Sequence, residues 1–464
     1  MTQPVILPVT QPVTPPMTLP KRTSALRALS LSSLIALSSL TAGCQISGSD
    51  IEAWAALEKG ALRLGGYAVD SSRPTALRER SFELLVQKGH YDAVLSVFHQ
   101  ASDPEDEALW ADAALRLVRE YSKPTATTDQ QGQAVDVLYY LLSFKWGEEA
   151  ALRDPALLMW LADWSISLIK TGQKMMNAVT PDRALTAALL VGGDPITERL
   201  KAHLAEMSDD IPFVTLISNL LLNLRDPKMD ELAGLSLMAT ARRSYPDKIN
   251  DTLIRALVKT GQLSHLKFLV EVAKDNRAPI AIQDQALREA GERLIAEARA
   301  SDEMRAEIIE LFKRVTASTT SSYSIVFVTV SLLWRLGGVA ELASTLKSIN
   351  PAFNTPVSGA ELKMWVENFC EAEVGSDLKS KDEARPVLLA LIDELKSQRE
   401  LWPARLYALT CVHMLYPDDF PRVMREKDRF SSYKSDKTKI PAWRSDQNMT
   451  LGAIAEGYMS PLGR

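Results

Sequence analysis

The sequence is poor in the side chains that most often announce chemistry. Three cysteines among 464 residues exclude a small disulfide-stapled scaffold and a cysteine-rich zinc module. Five histidines, at positions 90, 99, 203, 265 and 413, are scattered rather than paired. The chain has no HExxH, no Gly-x-Ser-x-Gly elbow, no Walker-type glycine loop and no Gly-x-Gly-x-x-Gly after a strand. Nothing therefore calls for a metal, a nucleotide or another cofactor. Positive charge is in deficit, with 53 Lys and Arg against 58 Asp and Glu and a formal charge of −5, which argues against a surface devoted to nucleic acid. Charged residues at 24% and aromatics at 7% are ordinary for a globular protein and exclude wholesale disorder. The length allows about three domains or one elongated repeat array.

What is present begins at the N-terminus. Residues 1–16 are a Pro, Thr and Val leader of low complexity, in which proline at that density prevents regular structure. Lys21, Arg22 and Arg27 then precede sixteen uncharged residues, Ala28 to Gly43, rich in Leu, Ala and Ser. That run is short for a transmembrane helix and suits a cleavable export signal. It ends in Leu40-Thr41-Ala42-Gly43-Cys44. The stretch resembles the lipobox of bacterial lipoproteins, although Thr41 stands where Leu or Val is usual. The resemblance implies that Cys44 becomes the lipidated first residue, and that the protein is tethered to the cell envelope facing the periplasm. Gln45, in place of an Asp, implies the outer membrane rather than the inner one. The mature chain would carry a formal −8, so its lipid rather than its average charge would hold it on an anionic membrane.

Beyond residue 50 the dominant pattern is helical. Leu287, Ala290, Gly291, Leu294, Ile295 and Ala298 mark one apolar stripe, and Ile308, Leu311, Phe312 and Val315 another, each predicting a helix with one buried face. Ile325–Val330 is β-branched, but the apolar run continues to Trp334, and its length favours a buried helix. Glycines at 89, 172, 261 and 337 each follow an apolar residue by four positions and precede a new helix. Their spacing is roughly even and close to twice that of a helix pair of about 40 residues. It points to an all-α fold, an α-solenoid-like array of antiparallel helix pairs. Gly89-His-Tyr-Asp-Ala-Val94 resembles the corner of a tetratricopeptide repeat, and the body is read as a divergent array of tetratricopeptide or HEAT type. The expected organisation is a leader and signal over 1–43, a tether and first helix over 44–74, a helical-repeat body over 75–420, and a basic, partly extended tail over 421–464.

Few residues invite a functional reading. Trp160 and Trp164 lie one helical turn apart, either as core or as an aromatic patch gripping a peptide or glycan. Cys370 and Cys411 both lie in apolar helical stretches, separated by close to one repeat. They would form a disulfide if their Cα atoms come within about 7 Å, or remain buried thiols. Residues 421–444 hold eight basic and three acidic side chains. Arg422, Arg425, Lys434, Lys437 and Lys439 are the candidates there for docking on an anionic partner. His90 and His265 fall in or beside corners, where an imidazole caps a helix or faces solvent. The acidic clusters Asp103–Glu107, Asp209-Asp210 and Asp418-Asp419 read as helix starts and turns. The expectation is a non-catalytic, lipid-anchored scaffold that binds a protein or peptide of the envelope. A protein that binds or hydrolyses peptidoglycan or another glycan is the alternative.

Overall fold

The computed structural model describes residues 46–57, 59–173, 178–352, 359–444 and 447–460. The leader, the signal and Cys44 lie outside these residues. The stripes become helices, and several helices start where a short polar side chain satisfies the free N–H groups of a first turn. Ser301 accepts from the Met304 N–H at 3.1 Å, Asp210 from Phe213 at 3.0 Å and Asn250 from Leu253 at 3.0 Å. Two of the acidic clusters are spent the same way, whereas Asp419 of the third pairs with Arg385 and Arg422. Asp103 accepts from the Glu105 and Asp106 N–H groups.

A first compact unit runs to Asp106. Its helices are α1 (Gly48–Ala55), α2 (Gly60–Val69), α3 (Thr75–Gln87) and α4 (Tyr91–Gln100). The four pack together, so the helices before residue 75 share a core with those after it. Phe82 and Phe98 meet across α3 and α4 with ring centroids 5.6 Å apart. Arg78, 5% exposed, is matched by the Ala68 carbonyl and Asp106, both at 2.7 Å. His90 stands at the start of α4 without making a side-chain cap.

The second unit holds Glu107–Arg464. It begins within α5 (Pro104–Tyr121) and continues through α6 (Thr128–Leu141), α7 (Lys145–Leu152), α8 (Pro155–Thr171) and α9 (Pro181–Glu206). There follow α10 (Ile211–Asn223), α11 (Pro227–Ser244), α12 (Asp251–Lys259), α13 (Leu263–Lys274), α14 (Ile280–Glu297), α15 (Asp302–Thr316) and α16 (Tyr323–Lys347). Then come α17 (Gly359–Asn368), a π-helical turn at Phe369–Val374, α18 (Leu378–Leu395) and α19 (Trp402–Leu415). The fold is all-α and built as a helical repeat. From α10 onward alternate helices stack: α10 on α12, α12 on α14, α14 on α16 and α16 on α18, with α13 on α15 in the second layer. Ion pairs cross the stack at a similar interval, as in Arg119–Asp154 (2.7 Å), Arg199–Asp163 (2.8 Å) and Lys228–Asp194 (3.1 Å), whose partners are 35, 36 and 34 residues apart. Being exposed, each adds at most about 1 kcal/mol; together they mark the register of the repeat.

Gly89, Gly172 and Gly261 all take positive φ at their corners. The fourth corner falls one residue later than expected, at Gly338 (φ +55°), inside a bend of α16. Gly193 (φ +59°) bends α9 in the same way, so the Gly192-Gly193 and Gly337-Gly338 pairs do one job. In each pair the first glycine has a side chain where a Cβ would stand, Ile196 at 2.4 Å from Gly192 and Glu341 at 2.3 Å from Gly337. Ile325–Val330 is helical and, but for Val328, buried. By length and composition α16 would cross a membrane, yet 61% of its most apolar window is buried within the protein.

Residues 421–464, expected to be a basic and partly extended tail, are folded over their described part. They fold as α20 (Phe420–Arg425), α21 (Arg429–Lys434), a hairpin of β1 (Lys439–Arg444) and β2 (Gln447–Thr450), and α22 (Leu451–Met459). The hairpin pairs Ile440 with Met449. Tyr433, Ile440, Leu451, Ile454 and Ala455 enter the core around α16–α19. Sparse apolar residues suffice because the segment meets surfaces that are already apolar: β1 packs on α17, and α22 packs on α19, whose own residues 402–412 are all buried. Two arginines hold the segment in place. Arg429 makes a forked pair with Asp393 at 2.6 and 2.8 Å. Arg405, 0% exposed, is paired with Asp436, 3% exposed, and lies 4.7 Å from the Tyr433 ring.

Candidate functional site

An open cleft of about 310 Å³ is lined by α14, α16, α17 and the π-helical turn. Its floor is aromatic because Phe327 of α16 faces Trp365 and Phe369, an i, i+4 pair where α17 runs into the turn, with buried Tyr323 supporting Phe327 and Trp365. Trp365 stacks on Tyr323 (centroids 5.9 Å, planes 16° apart) and lies 4.9 Å from Phe327. Phe369 meets Tyr407 of α19 edge-on at 5.3 Å. Trp365 itself is only half-buried, so one part of the floor stays open.

The rim is charged. Arg335 on α16 forks onto both oxygens of Glu292 on α14, one of the contacts at 2.8 Å. That guanidinium holds the Glu292 carboxyl below its usual range. Glu373, half-buried on the π-helical turn, is shifted the other way. Burial raises it, against the pull of Arg335 and a hydrogen bond from Ser331. The turn owes its position to what lies behind it. The Gly375 N–H donates to the Cys370 carbonyl at 2.9 Å, a span of five residues. Cys370 is bonded to Cys411 of α19, their Cα atoms 4.8 Å apart. π-Helical turns often sit at functional sites, and this one carries Phe369 and Glu373 to the cleft from a covalently fixed base.

A second cavity, about 380 Å³, is lined by Tyr245, Phe268, Asp275 and Arg277 among others. Here the polar groups satisfy one another. Arg277 holds Asp275 well below the carboxylate range, and the Tyr245 hydroxyl donates to the same Asp275 carboxylate. Burial first, and then Asp275, push the Tyr245 phenol up to about 12. Among the described residues no cluster of three or more His, Cys, Asp or Glu side chains could hold a metal ion.

The residues singled out from the sequence are not assembled into one site. Trp160 and Trp164 are both half-buried on α8, which packs against α7 and α9, and Asp163 between them is forked by Arg199 and contacted by His203. Arg422 is tied to Asp419 and Glu426, and Lys434 to Glu456 at 3.5 Å. Arg425, Lys437 and Lys439 are exposed on α20, after α21 and on β1. His265, read as capping a helix or facing solvent, does not face solvent. It is 3% exposed, its ring within 2.8 Å of the Thr260 hydroxyl, and burial pushes its pKa down.

Sequence reasoning misses the cleft itself. Its only sequence signal is Trp365 four residues ahead of Phe369, beside a cysteine already of interest. Its other walls, from Arg288 to Arg335, belong to helices much earlier in the chain. Compared with known proteins, the chain matches no family model, no curated protein and no solved structure.

Proposed function

We propose that this chain is a non-catalytic, lipid-anchored helical-repeat protein of a bacterial envelope, and that it holds a segment of a partner protein in the cleft over the π-helical turn. The observation that carries the binding part is the cleft: an aromatic floor, half open, with a charged rim and a fixed base, has the composition of a peptide-gripping surface. Two features support the envelope part. The signal-like stretch ends in Cys44, and the Cys370–Cys411 bond belongs to an oxidising compartment.

Two experiments test this. Radiolabelled palmitate should enter the wild type and not Cys44→Ala, with the label in the membrane fraction. Label in neither would remove the anchor. A photocrosslinking amino acid at Asn368, exposed on the cleft rim, should give one discrete adduct in cells, while the same group at exposed Leu235 of α11 should not. No adduct from position 368 would defeat the reading.

A glycan-hydrolysing reading draws on one observation: Glu292 and Glu373 are shifted in opposite directions, as in acid and base pairs. Against it, Arg335 forks onto both oxygens of Glu292, an ion pair that lowers the basicity and nucleophilicity of that carboxylate. Purified peptidoglycan should release no fragments on incubation with the protein.

A further inference from the structure

The cleft is lined by two cations and two carboxylates, Arg288, Arg335, Glu292 and Glu373, but their pairing leaves one over. Arg335 is taken up by Glu292, and Arg288 by Asp284 one turn earlier at 2.7 Å. Glu373 remains. It accepts from Ser331 and feels Arg335 only from further away, and among the described residues no cation forms an ion pair with it. A carboxylate partly withdrawn from water costs free energy that an incoming cation recovers. Next to it lie Trp365 and Phe369, whose faces suit the methylenes and the charged head of a long basic side chain. Exposed Glu371 on the same turn adds to the negative field, which an acidic segment would meet as repulsion.

Resting on the peptide-holding reading above, we propose that the cleft selects a partner segment that presents a lysine or arginine flanked by apolar residues. The basic head pairs with Glu373 and its stem lies along Trp365. Glu373 is then the specificity-determining residue, and the partner is a basic–apolar peptide rather than an acidic one.

The test is a display library of random 12-residue peptides panned on the purified chain in wild-type, Glu373→Gln and Glu373→Lys forms. Affinities of the recovered peptides are then measured by titration. Wild-type protein should enrich Lys or Arg with apolar neighbours. Glu373→Gln should weaken those peptides by about tenfold or more, the scale of a lost charge-assisted contact. Glu373→Lys should reverse the preference toward Asp and Glu, a result that loss of folding cannot produce. Enrichment of peptides with no basic residue, or equal affinity for all three proteins, would overturn the selectivity while leaving peptide binding intact. Recovery of no peptide at all would overturn both.

Discussion

Replacing Asp436 by alanine is the sharpest test of how the C-terminal segment is held. Arg405 is fully buried in the first turn of α19. Its partners are the Asp436 carboxylate, the Lys396 carbonyl at 3.3 Å and the face of Tyr433. Asp436→Ala removes the one negative charge and leaves a guanidinium, which cannot deprotonate, facing a carbonyl and a ring. Breaking a buried pair by deleting one partner costs about 3–5 kcal/mol. Hydrogen exchange read by mass spectrometry localises the effect. If α21, the hairpin and α22 open as a unit, that cost should speed their exchange by about two to four powers of ten, while α10–α13 stay as they were. The double variant Arg405→Met with Asp436→Ala should recover most of the loss, because an apolar pair of similar size carries no stranded charge. The pH dependence has a fixed sign. The Asp436 carboxyl lies below its usual value, burial being outweighed by Thr438 and Arg405. Its contribution is therefore complete above about pH 4 and is lost as pH falls further. A change of less than about 1 kcal/mol in Asp436→Ala would refute the reasoning, since a charge so enclosed cannot be orphaned cheaply.

Gly452→Ala should destabilise the same segment by about 1–3 kcal/mol, read as a lowered Tm, because a Cβ there would stand 2.7–2.9 Å from the carbonyl oxygens of Lys434, Asp436 and Tyr433. Cys370→Ser with Cys411→Ser releases a loop of 41 residues and should cost up to about 4 kcal/mol by loop entropy, seen as a shifted denaturation midpoint that reductant no longer alters. Buried His265, depressed in pKa, should stay neutral while the unfolded chain takes up its proton. Stability should then fall as pH drops through about 6.5, and His265→Gln should flatten that slope between pH 7 and 5 in thermal melts.

Helices were legible because their signal is local. The stripe at Leu287–Ala298 needs only the one helix to declare itself, and a corner glycine such as Gly261 marks a backbone angle wherever it occurs. The cysteine pair could be singled out because its separation is close to the length of one helix pair. The cleft was not legible, since Glu292, Arg335 and Glu373 belong to three helical elements and nothing in any one of them announces the other two. The folded tail was hidden for a related reason. Tyr433, Ile440 and Leu451 follow no helical or strand period, and their burial depends on α19 offering a surface, which composition does not reveal. Arg405 looked like an ordinary charge; only Asp436, beyond two further helices in the chain, makes it a core residue.

The way α19 is enclosed also sets an order of events during synthesis. This helix has residues 402–412 buried, and part of what covers it, from Tyr433 to Ala455, is made after it. A growing chain that has produced α19 but not α22 carries a water-exposed apolar helix and an arginine awaiting its counter-charge. The earlier repeats can close one upon another as they emerge, but this last module has to wait. Synthesis interrupted between α19 and α22 should therefore yield chains with an intact front and a sticky end, which chaperones and proteases would recognise first.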